Sequence, residues 1–401
     1  MLNLFSEIRN KKLPVVIAGA GIVGKVLLSL CRAEGIDVEC FCDNSKKVVG
    51  SEFCGLKIIY TPDLKAKYKD AVILISVASI KDVVDLLENF GFSNWYAGGL
   101  FLKDFNIFQN SVDASIDYVK FVVENCILCH DGYLHPDKLF LRSIDIIITE
   151  RCSLKCKDCS NLMQYYKNPK NCDTGMLLKS LDIFCAIVDE VMDFRIIGGE
   201  PFMNKEWHVI AKRLIDEPRA KRVVIYTNGT IIPRKEHLEL LKNKKVLIMV
   251  SDYGALLKNL VGLKKMLEEN KIAHYVLKII EWLSCSAIAQ HNRGPEGNKE
   301  IFKLCCGKNM ASLSDGKIFR CPYAANAFRL SAIPDYKSDY IDLFQEPFVA
   351  KNIFKMKKKV IDYLLLKEYL EVCDYCDSRP LSGNEIEPNI QINKPLKYHK
   401  Y

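Results

Sequence analysis

The chain has 401 residues, of which 49% are hydrophobic and 26% are charged, and its 57 basic and 49 acidic residues give a formal net charge of +8. These proportions are typical of a globular protein with two or three domains, and the mild charge excess does not predict nucleic-acid binding. No apolar run reaches the roughly 18 residues of a membrane span, and the N-terminus lacks the apolar core of a signal peptide. We therefore expect a cytoplasmic protein without a membrane partner, in which the 17 cysteines are buried thiols or metal ligands and not disulfides.

The first hundred residues carry the pattern of a nucleotide-binding fold. An apolar strand, 15–18, leads into a G-x-G-x-x-G turn at the start of an apolar helix, and a second strand ends at an aspartate. In such a turn the glycines let the backbone approach a phosphate, and the acidic residue binds a ribose hydroxyl. We predict a Rossmann-like, doubly wound parallel sheet over residues 1–105. The candidate nucleotide-binding residues are Gly19, Gly21, Gly24 and Asp43.

The run from Val15 to Val77 resembles the small Rossmann-like domains of nucleotide-sugar acetyltransferases. That resemblance implies a nucleotide-sugar ligand. One alternative is a βαβ unit that keeps its glycine turn but only docks the neighbouring domain. A nicotinamide cofactor is a second, less favoured alternative, because a short region and not a full second half follows the first βαβ unit.

Residues 106–139 are predicted to be a linker. They contain Cys126-x-x-Cys129-His130, formally the pattern of covalent haem attachment. We reject haem, because this attachment belongs to exported proteins, and expect two buried thiols on a short helix.

Beyond the linker, apolar strands alternate with amphipathic helices. The strands are predicted at 144–149, 194–197, 223–227, 246–250 and 274–279, and the helices at 176–192, 207–216, 236–243 and 256–270. This repetition predicts a parallel sheet with helices outside, a partial (β/α)6 TIM-like barrel over residues 140–300. Its chemistry is expected at the carboxyl ends of the strands.

Three cysteines, Cys152, Cys156 and Cys159, follow the first of these strands at the spacing C-x3-C-x2-C. Three thiolates are one fewer than a cubane [4Fe–4S] cluster needs, so a cluster held here keeps one iron open. An open coordination position is typical of a catalytic metal site. The alternative is three thiols that are close only in sequence.

Loops of special composition also follow the next three strands. They are Gly198-Gly199-Glu200-Pro201, Thr227-Asn228-Gly229 and Ser251-Asp252-Tyr253-Gly254. Each alone is ordinary turn chemistry, but the carboxyl ends of parallel strands meet at one rim. The four loops together therefore predict one functional site.

These motifs resemble those of radical S-adenosylmethionine (SAM) enzymes. The resemblance implies that the three cysteines bind a catalytic [4Fe–4S] cluster whose open iron chelates SAM. In this family the residue before the third cysteine is usually aromatic, and Asp158 departs from that pattern at the place where the SAM adenine is covered. The implied SAM-binding residues are Gly198, Gly199, Glu200, Pro201, Asn228 and Ser251.

Four further cysteines form a second candidate metal site. Cys306 and Cys321 flank a predicted hairpin with an Asp-Gly turn, in the pattern C-x9-G-x4-C, and Cys373 and Cys376 form a later C-x2-C pair. Four thiolates can ligate an iron–sulfur cluster or a zinc ion, and Cys305 is the alternative to Cys306.

The first pattern resembles the twitch or SPASM extension of radical SAM enzymes, here over residues 301–380. A full SPASM region continues with more cysteines, so the resemblance implies one auxiliary [4Fe–4S] cluster. Residues 381–401 are predicted to be a surface tail.

The sequence thus predicts a radical SAM enzyme that cleaves SAM to a 5′-deoxyadenosyl radical and takes a hydrogen from a sugar or nucleotide-linked sugar. Dehydrogenation or epimerisation would follow, in polysaccharide or secondary-metabolite biosynthesis, with an external electron donor such as flavodoxin or ferredoxin. Tyr253 and Cys285 are candidates for quenching the product radical. The alternatives are a SPASM-type peptide-modifying maturase and a non-catalytic iron–sulfur protein that senses nucleotides or transfers electrons.

Overall fold

A computed structural model describes residues 4–45, 47–103, 116–345, 350–379 and 385–401. The chain divides into two compact units, Met1–Lys138 and Leu139–Tyr401. Within the described ranges no helix is long and apolar enough to cross a membrane.

The first unit is built on a six-stranded sheet. Its strands are β1 (Val15–Ala18), β2 (Val38–Asp43), β3 (Glu52–Phe53), β4 (Leu56–Tyr60), β5 (Val72–Ile75) and β6 (Trp95–Ala97). Its helices are α1 (Leu4–Lys11), α2 (Ile22–Ala33), α3 (Leu64–Lys67), α4 (Ile80–Asn89) and α5 (Ile116–Leu134).

The strand order in this sheet is β3-β4-β2-β1-β5-β6, and all neighbours except β3 and β4 are parallel. The central strands β1 and β5 are buried at every position, as apolar strands covered by helices on both faces must be. Strands β2 and β4 lie on one side of β1, whereas β5 and β6 lie on the other. In open α/β sheets, ligands bind at the carboxyl ends of the two strands between which the strand order reverses, and here these strands are β1 and β5.

Helix α5 belongs to this unit and not to a linker, since it packs against α2, α4 and the turn Gly98–Phe101. On this helix, His130 is fully buried. Its Nδ1 accepts from the backbone N–H of Gly99 at 2.9 Å, and its Nε2 donates to the carbonyl of Val77 at 2.9 Å. Both ring nitrogens are therefore engaged, and the pair of cysteines beside it, Cys126 and Cys129, is buried as expected. Residues 106–115 of the predicted linker lie outside the described residues.

The described residues of the second unit form ten strands, of which eight make one sheet and two make a separate pair, with helices packed against the larger sheet. Its strands are β7 (Phe140–Thr149), β8 (Glu190–Gly198), β9 (Ala220–Thr227), β10 (Val246–Asp252), β11 (His274–Lys278), β12 (Trp282–Leu283), β13 (Ser312–Ser314), β14 (Lys317–Phe319), β15 (Tyr340–Asp342) and β16 (Glu385–Ile386). Its helices are α6 (Thr174–Ile187), α7 (Trp207–Ile215), α8 (Leu238–Leu241), α9 (Leu260–Glu269), α10 (Gly294–Leu304), α11 (Pro322–Arg329) and α12 (Ala350–Leu366).

The strand order is β11-β10-β9-β8-β7-β13-β14-β15, while β12 and β16 form a separate antiparallel pair. Strands β7 to β11 are mutually parallel, and β13 also runs parallel to β7. The predicted parallel α/β architecture is confirmed. The hairpin β13–β14 extends the eight-stranded sheet beyond β7, and its apolar side chains share one core with those of β7.

Two sequence-based expectations differ from the structure. The helix expected over 176–192 ends at Ile187, because Val188 is extended and β8 already begins at Glu190. The described part of the tail, 385–401, is not a free surface extension, since β16 pairs with β12 and Gln391 bridges to Cys156. Residues 381–384 lie outside the described residues.

Candidate active site

The four predicted loops lie at one rim of the second unit. Strands β7, β8, β9 and β10 are parallel neighbours, so their carboxyl ends share an edge of the sheet. The three-cysteine loop follows β7, and the glycine-rich loop follows β8. Hydrogen bonds between these loops show how closely they pack.

The cysteine loop and the glycine-rich loop are joined through their backbones. The N–H of Gly199 donates to the carbonyl of Thr149 at 2.9 Å, and the N–H of Glu200 donates to the carbonyl of Arg151 at 2.8 Å. A Cβ on Gly199 would lie 2.2 Å from the Arg151 oxygen and 2.9 Å from the Cβ of Cys152. Gly198 has φ +148°, and a Cβ there would lie 2.2 Å from the Thr149 oxygen. Both positions therefore require glycine.

Glu200 ties the end of β8 to the end of β9. Its carboxylate is fully buried and accepts from the hydroxyl of Thr227 at 2.9 Å and from the N–H of Asn228 at 2.7 Å. The N–H of Phe202 donates to the same carboxylate at 3.2 Å. Burial raises the pKa of Glu200 to about 7, although these three donors act in the opposite direction.

Each thiol of the cysteine loop receives hydrogen bonds. The backbone N–H of Leu154 donates to the sulfur of Cys152, and the N–H groups of Asn161 and Met163 donate to the sulfur of Cys159. Asn228 Nδ2 lies 3.5 Å from Cys152 Sγ. Burial raises the pKa of Cys152 and that of Cys159, and it raises the pKa of Cys156 to about 11. A metal bound by these thiols would have to supply the free energy that deprotonates them.

Tyr253, one of the two radical-quenching candidates, lies beside the cysteine loop. Burial raises the pKa of its phenol, and the neighbouring Cys156, Cys159 and Cys152 act in the same direction. Its side chain is hydrogen-bonded to Ser251, and its ring meets Trp282 edge-on with centroids 5.7 Å apart.

Cys285, the other candidate, is buried next to the second cysteine site. Its carbonyl accepts from Cys376 Sγ at 3.9 Å. Burial raises the pKa of its thiol to about 11.

The second site is a cavity between α10, the start of α11 and the turn Glu371–Tyr375. Its wall includes Cys305, Cys321, Cys373 and Cys376, whereas Cys306 is not among the lining residues. The sulfurs of Cys305 and Cys321 both lie within 4 Å of the point where a Cβ on Gly307 would stand. The structure thus brings together three of the four predicted ligands with Cys305, the neighbour of the fourth.

Backbone N–H groups point at these sulfurs too. Gly307 donates to Cys305 at 3.3 Å, Ala324 to Cys321 at 3.5 Å, and Ser378 to Cys376 at 3.3 Å. A hydrogen bond from the Cys306 thiol lowers the pKa of Cys305 below its usual value. Within the described residues, no three His, Cys, Asp or Glu side chains converge on a point that could hold a single metal ion. The cysteines of a cubane bind separate irons and need no such point.

In the first unit, the predicted nucleotide-binding residues lie together at the carboxyl ends of β1 and β2. Asp43 accepts from the N–H of Ala20 at 3.1 Å and from the N–H of Ser45 at 2.8 Å. Gly19 has φ +108°, and a Cβ on Gly24 would lie 2.2 Å from the Gly19 oxygen. A Cβ on Gly21 would meet nothing within 4 Å, which leaves open space above the turn.

Residues 146–279 match the profile of the family described as "Radical SAM superfamily". This segment runs from the middle of β7 to the residue after β11, and it contains the cysteine loop and the next three strand ends. The chain therefore carries a radical SAM superfamily domain. The family implies a [4Fe–4S] cluster and SAM as cofactors.

Two curated proteins illustrate the similarity. The GTP 3′,8-cyclase of Clostridium acetobutylicum is 31% identical over 100 residues, which are 23% of this chain and 30% of that protein. The GTP 3′,8-cyclase of Stenotrophomonas maltophilia is 28% identical over 89 residues, which are 22% and 27% of the two chains. The chain thus spans less than a third of the length of either relative.

Three solved structures are also similar. BtrN in complex with AdoMet and 2-DOIA is 16% identical with a TM-score of 0.39, covering 59% of this chain and 93% of that chain. Streptococcus suis SuiB is 14% identical with a TM-score of 0.30, covering 73% and 58%. The structure of anSMEcpe with bound AdoMet and Cp18Cys peptide is 16% identical with a TM-score of 0.30, covering 35% and 44%.

The donors around the cysteine loop fit a thiolate-ligated cluster. Side-chain and backbone N–H groups point at all three sulfurs, and such donors stabilise the negative charge that thiolates bring to a cluster. Gln391 and Asn389, which contact Cys156 from the tail, were missed by the sequence analysis. No local pattern marks them, because they reach the loop only through the tertiary fold.

Proposed function

We propose that this chain is a radical SAM enzyme that acts on a sugar or a nucleotide-linked sugar. The observation that carries the proposal is the backbone junction between the cysteine loop and the glycine-rich loop. Gly199 has to lack a side chain because the carbonyl of Arg151 occupies that space. The loop that would bind the cluster and the loop that would bind SAM are thereby held next to each other at the same edge of the sheet.

The proposed roles follow from the side chains present. Cys152, Cys156 and Cys159 would hold the catalytic cluster, which supplies an electron for cleaving SAM to the radical that takes a substrate hydrogen. The carbonyls of Gly198 and Gly199 would accept hydrogen bonds from the SAM ammonium, since neither residue has a side chain to block the approach. Asn161 Nδ2 already donates to the Gly198 carbonyl at 3.0 Å, which orients that peptide group.

Glu200 would act on SAM through its charge and through the strand end that it holds. A cation in the site favours the ionised form of a carboxyl group whose pKa burial has raised to about 7. The hydrogen bonds from Thr227 and Asn228 keep the carboxylate and the β9 loop in a fixed relation. Asn228 and Ser251 remain the proposed SAM contacts on the next two strands.

The aromatic residues near the cysteine loop would help to exclude water. Tyr253 and Trp282 pack edge-on, and Trp282 lies on the strand β12 that pairs with β16. A closed apolar wall protects a reactive radical from side reactions. Tyr253 stays the proposed residue for returning a hydrogen atom to a product radical, because it lies beside the three cysteines.

The second cysteine site is proposed to hold one auxiliary [4Fe–4S] cluster. Its cavity wall carries Cys305, Cys321, Cys373 and Cys376 and the N–H donors to three of these sulfurs, so we propose Cys305 and not Cys306 as the fourth ligand. An auxiliary cluster that accepts an electron from the product radical would give dehydrogenation, whereas a hydrogen atom returned by Tyr253 would give epimerisation.

The glycine turn of the first unit supports the nucleotide-sugar part of the proposal. The open space above Gly21 admits a phosphate close to the backbone, and α2 begins directly after it with its N-terminus free for an anion. Asp43 already accepts two backbone hydrogen bonds, and each carboxylate oxygen keeps a further lone pair for a ribose hydroxyl.

The test is SAM cleavage by the full chain after anaerobic reconstitution with iron and sulfide. We expect 5′-deoxyadenosine from the reduced wild type, with flavodoxin or ferredoxin as alternative donors, and a higher yield with a reacting nucleotide-sugar from a panel. Cys152→Ala should abolish the product. Cys185→Ala, a buried thiol of α6, is the matched control and should keep it. No 5′-deoxyadenosine from the reconstituted wild type would overturn the proposal and favour a non-catalytic iron–sulfur protein.

The substrate class is tested by binding to the full chain. Gly21→Val is expected to fold normally, because Gly21 is extended at φ −130° and a Cβ there meets nothing within 4 Å. It should nevertheless weaken nucleotide-sugar binding by tenfold or more, as measured by calorimetry. Equal binding by the variant, or none by the wild type, would remove the support for a nucleotide-linked substrate.

A further inference from the structure

The C-terminal segment runs antiparallel along the cysteine loop. The N–H of Lys157 donates to the carbonyl of Ile390 at 2.7 Å, and the N–H of Ile392 donates to the carbonyl of Lys155 at 2.8 Å. Cys156 and Gln391 face each other across this pairing. The segment therefore braces the middle cysteine of the loop on both sides.

The side-chain amide of Gln391 is held in one orientation. Its Oε1 accepts from the N–H of Lys155 at 2.7 Å, so its Nε2 has to be the group that faces Cys156. Nε2 lies 3.3 Å from Cys156 Sγ. It also donates to Asn389, at 3.0 Å to the carbonyl and at 2.9 Å to Oδ1. With the amide reversed, Nε2 would face the Lys155 N–H, which is also a donor. The hydrogen bond from Lys155 and the hydrogen bond to Cys156 Sγ would then both be lost.

The segment is anchored on either side of Gln391. Upstream, β16 pairs with β12. Downstream, the N–H of Leu396 donates to the carbonyl of Gln164 at 2.9 Å, and the ring of Tyr398 packs edge-on against Tyr165 with centroids 5.6 Å apart. Gln391 is thus presented to the cysteine loop by a fixed segment, although the residue itself is exposed.

We propose that Gln391 is a positioning residue of the catalytic cluster site, which holds Cys156 through the Lys155 peptide and directs an N–H at its sulfur. This inference rests on the proposed function, since it takes Cys156 as a cluster ligand. Hydrogen bonds to ligand sulfurs stabilise the reduced, more negative cluster and raise its reduction potential. Loss of the Gln391 amide should therefore make the cluster harder to reduce.

The experiment compares Gln391→Met with Asn393→Met in the reconstituted full chain. Asn393 is exposed on the same segment and serves as the matched control. The readout is the midpoint potential of the reduced-cluster EPR signal that is present in the wild type and missing in Cys152→Ala. We expect a more negative potential in Gln391→Met and an unchanged one in Asn393→Met. Gln391→Glu keeps the acceptor for Lys155 but places an anion at the sulfur, and its shift should be larger in the same direction.

Hydrogen exchange provides a second readout that needs no cluster. The Lys155 amide should exchange faster in metal-free Gln391→Met than in the wild type, and at the wild-type rate in Asn393→Met. A wild type without a signal that depends on Cys152 would overturn both the proposed function and this inference. If that signal is present but its potential is the same in Gln391→Met and Asn393→Met, the positioning role alone is overturned.

Discussion

The buried carboxylate of Glu200 and the hydroxyl of Thr227 lie 2.9 Å apart and join the ends of two neighbouring strands. Thr227 is 2% exposed, and its hydroxyl also accepts from the N–H of Gly229 at 3.1 Å. A single hydroxyl therefore fixes both the carboxylate and the turn that follows β9.

Replacing this hydroxyl by a methyl group should destabilise the protein. Thr227→Val leaves the carboxylate with two donors and the Gly229 N–H with none, at a cost of about 1–3 kcal/mol in the free energy of unfolding. Thr174→Val is the control, because Thr174 donates to Glu206 at 2.7 Å in an exposed pair. Equal denaturant midpoints for the two variants would contradict the prediction.

The stability of the metal-free protein should depend on the ionisation of Glu200. Burial raises its pKa from 4.5 to about 7, so the folded state binds more protons than the unfolded state between these pH values. Stability from this group is then complete below pH 4.5 and is lost as the pH rises through 7, by about 3 kcal/mol. In urea titrations across this range, the loss should be absent from Glu200→Gln. A wild type and a variant with parallel pH profiles would refute this.

A side chain at Gly199 should disrupt the cysteine loop. In Gly199→Ala the new Cβ would stand 2.2 Å from the Arg151 oxygen, so the loop has to move. We expect loss of the cluster that depends on Cys152, measured as iron per chain. The control is Gly175→Ala on α6. A Cβ at Gly175 would lie 3.4 Å from its nearest neighbour, the Asp173 Oδ1 atom, and alanine favours the helix by up to about 1 kcal/mol. Full iron content in Gly199→Ala would show that the loop tolerates the shift.

Adjacent cysteines should differ in their effect on the second site. Cys305→Ala should lose the auxiliary iron, whereas Cys306→Ala should retain it, because the cavity wall includes Cys305 and not Cys306. Iron and acid-labile sulfide counts in a Cys152→Ala background isolate this site from the first. The reverse pattern would restore Cys306 as the ligand.

A buried ion pair connects the end of β7 to the hairpin β13–β14. Arg329 on α11 contacts Glu150 and Asp315, each at 2.7 Å, and the side chains of Arg329 and Glu150 are only 5% and 4% exposed. Arg329→Met leaves a buried carboxylate unpaired and should cost about 3–5 kcal/mol in unfolding free energy. The double variant with Glu150→Gln should recover part of the loss. Lys337→Met, in an exposed pair with Asp335, should change little.

Features that depend on local backbone geometry were predictable from the sequence. Gly198 and Gly199 are glycines because neighbouring peptide groups occupy the space of a side chain, and such a requirement leaves its mark in the sequence itself. The parallel strands β7 to β11 were predicted from their alternation with amphipathic helices, whereas β4 and β6 of the first unit were not predicted. The helix expected through Met192 failed because Val188, Val191 and Met192 continue the apolar pattern across a short loop into β8.

Features that depend on distant contacts were not predictable. Gln391 lies 235 residues from Cys156, and Arg329 lies 179 residues from Glu150. Nothing in the local sequence of either residue specifies its partner. Whether Cys305 or Cys306 lines the cavity depends on which way the turn between α10 and the hairpin faces. Spacing does not resolve that choice between adjacent residues.

The antiparallel segment at 390–392 also sets an order of events during synthesis. The ribosome delivers the three cysteines long before Gln391, and domains tend to fold as the chain emerges. Strands β7 to β11 and the cysteine loop are therefore synthesised before the last hydrogen-bond donors to Cys156. Gln391 can contact Cys156 only after translation has passed residue 391. Iron inserted earlier would therefore bind a cysteine loop that still lacks the Gln391 hydrogen bonds.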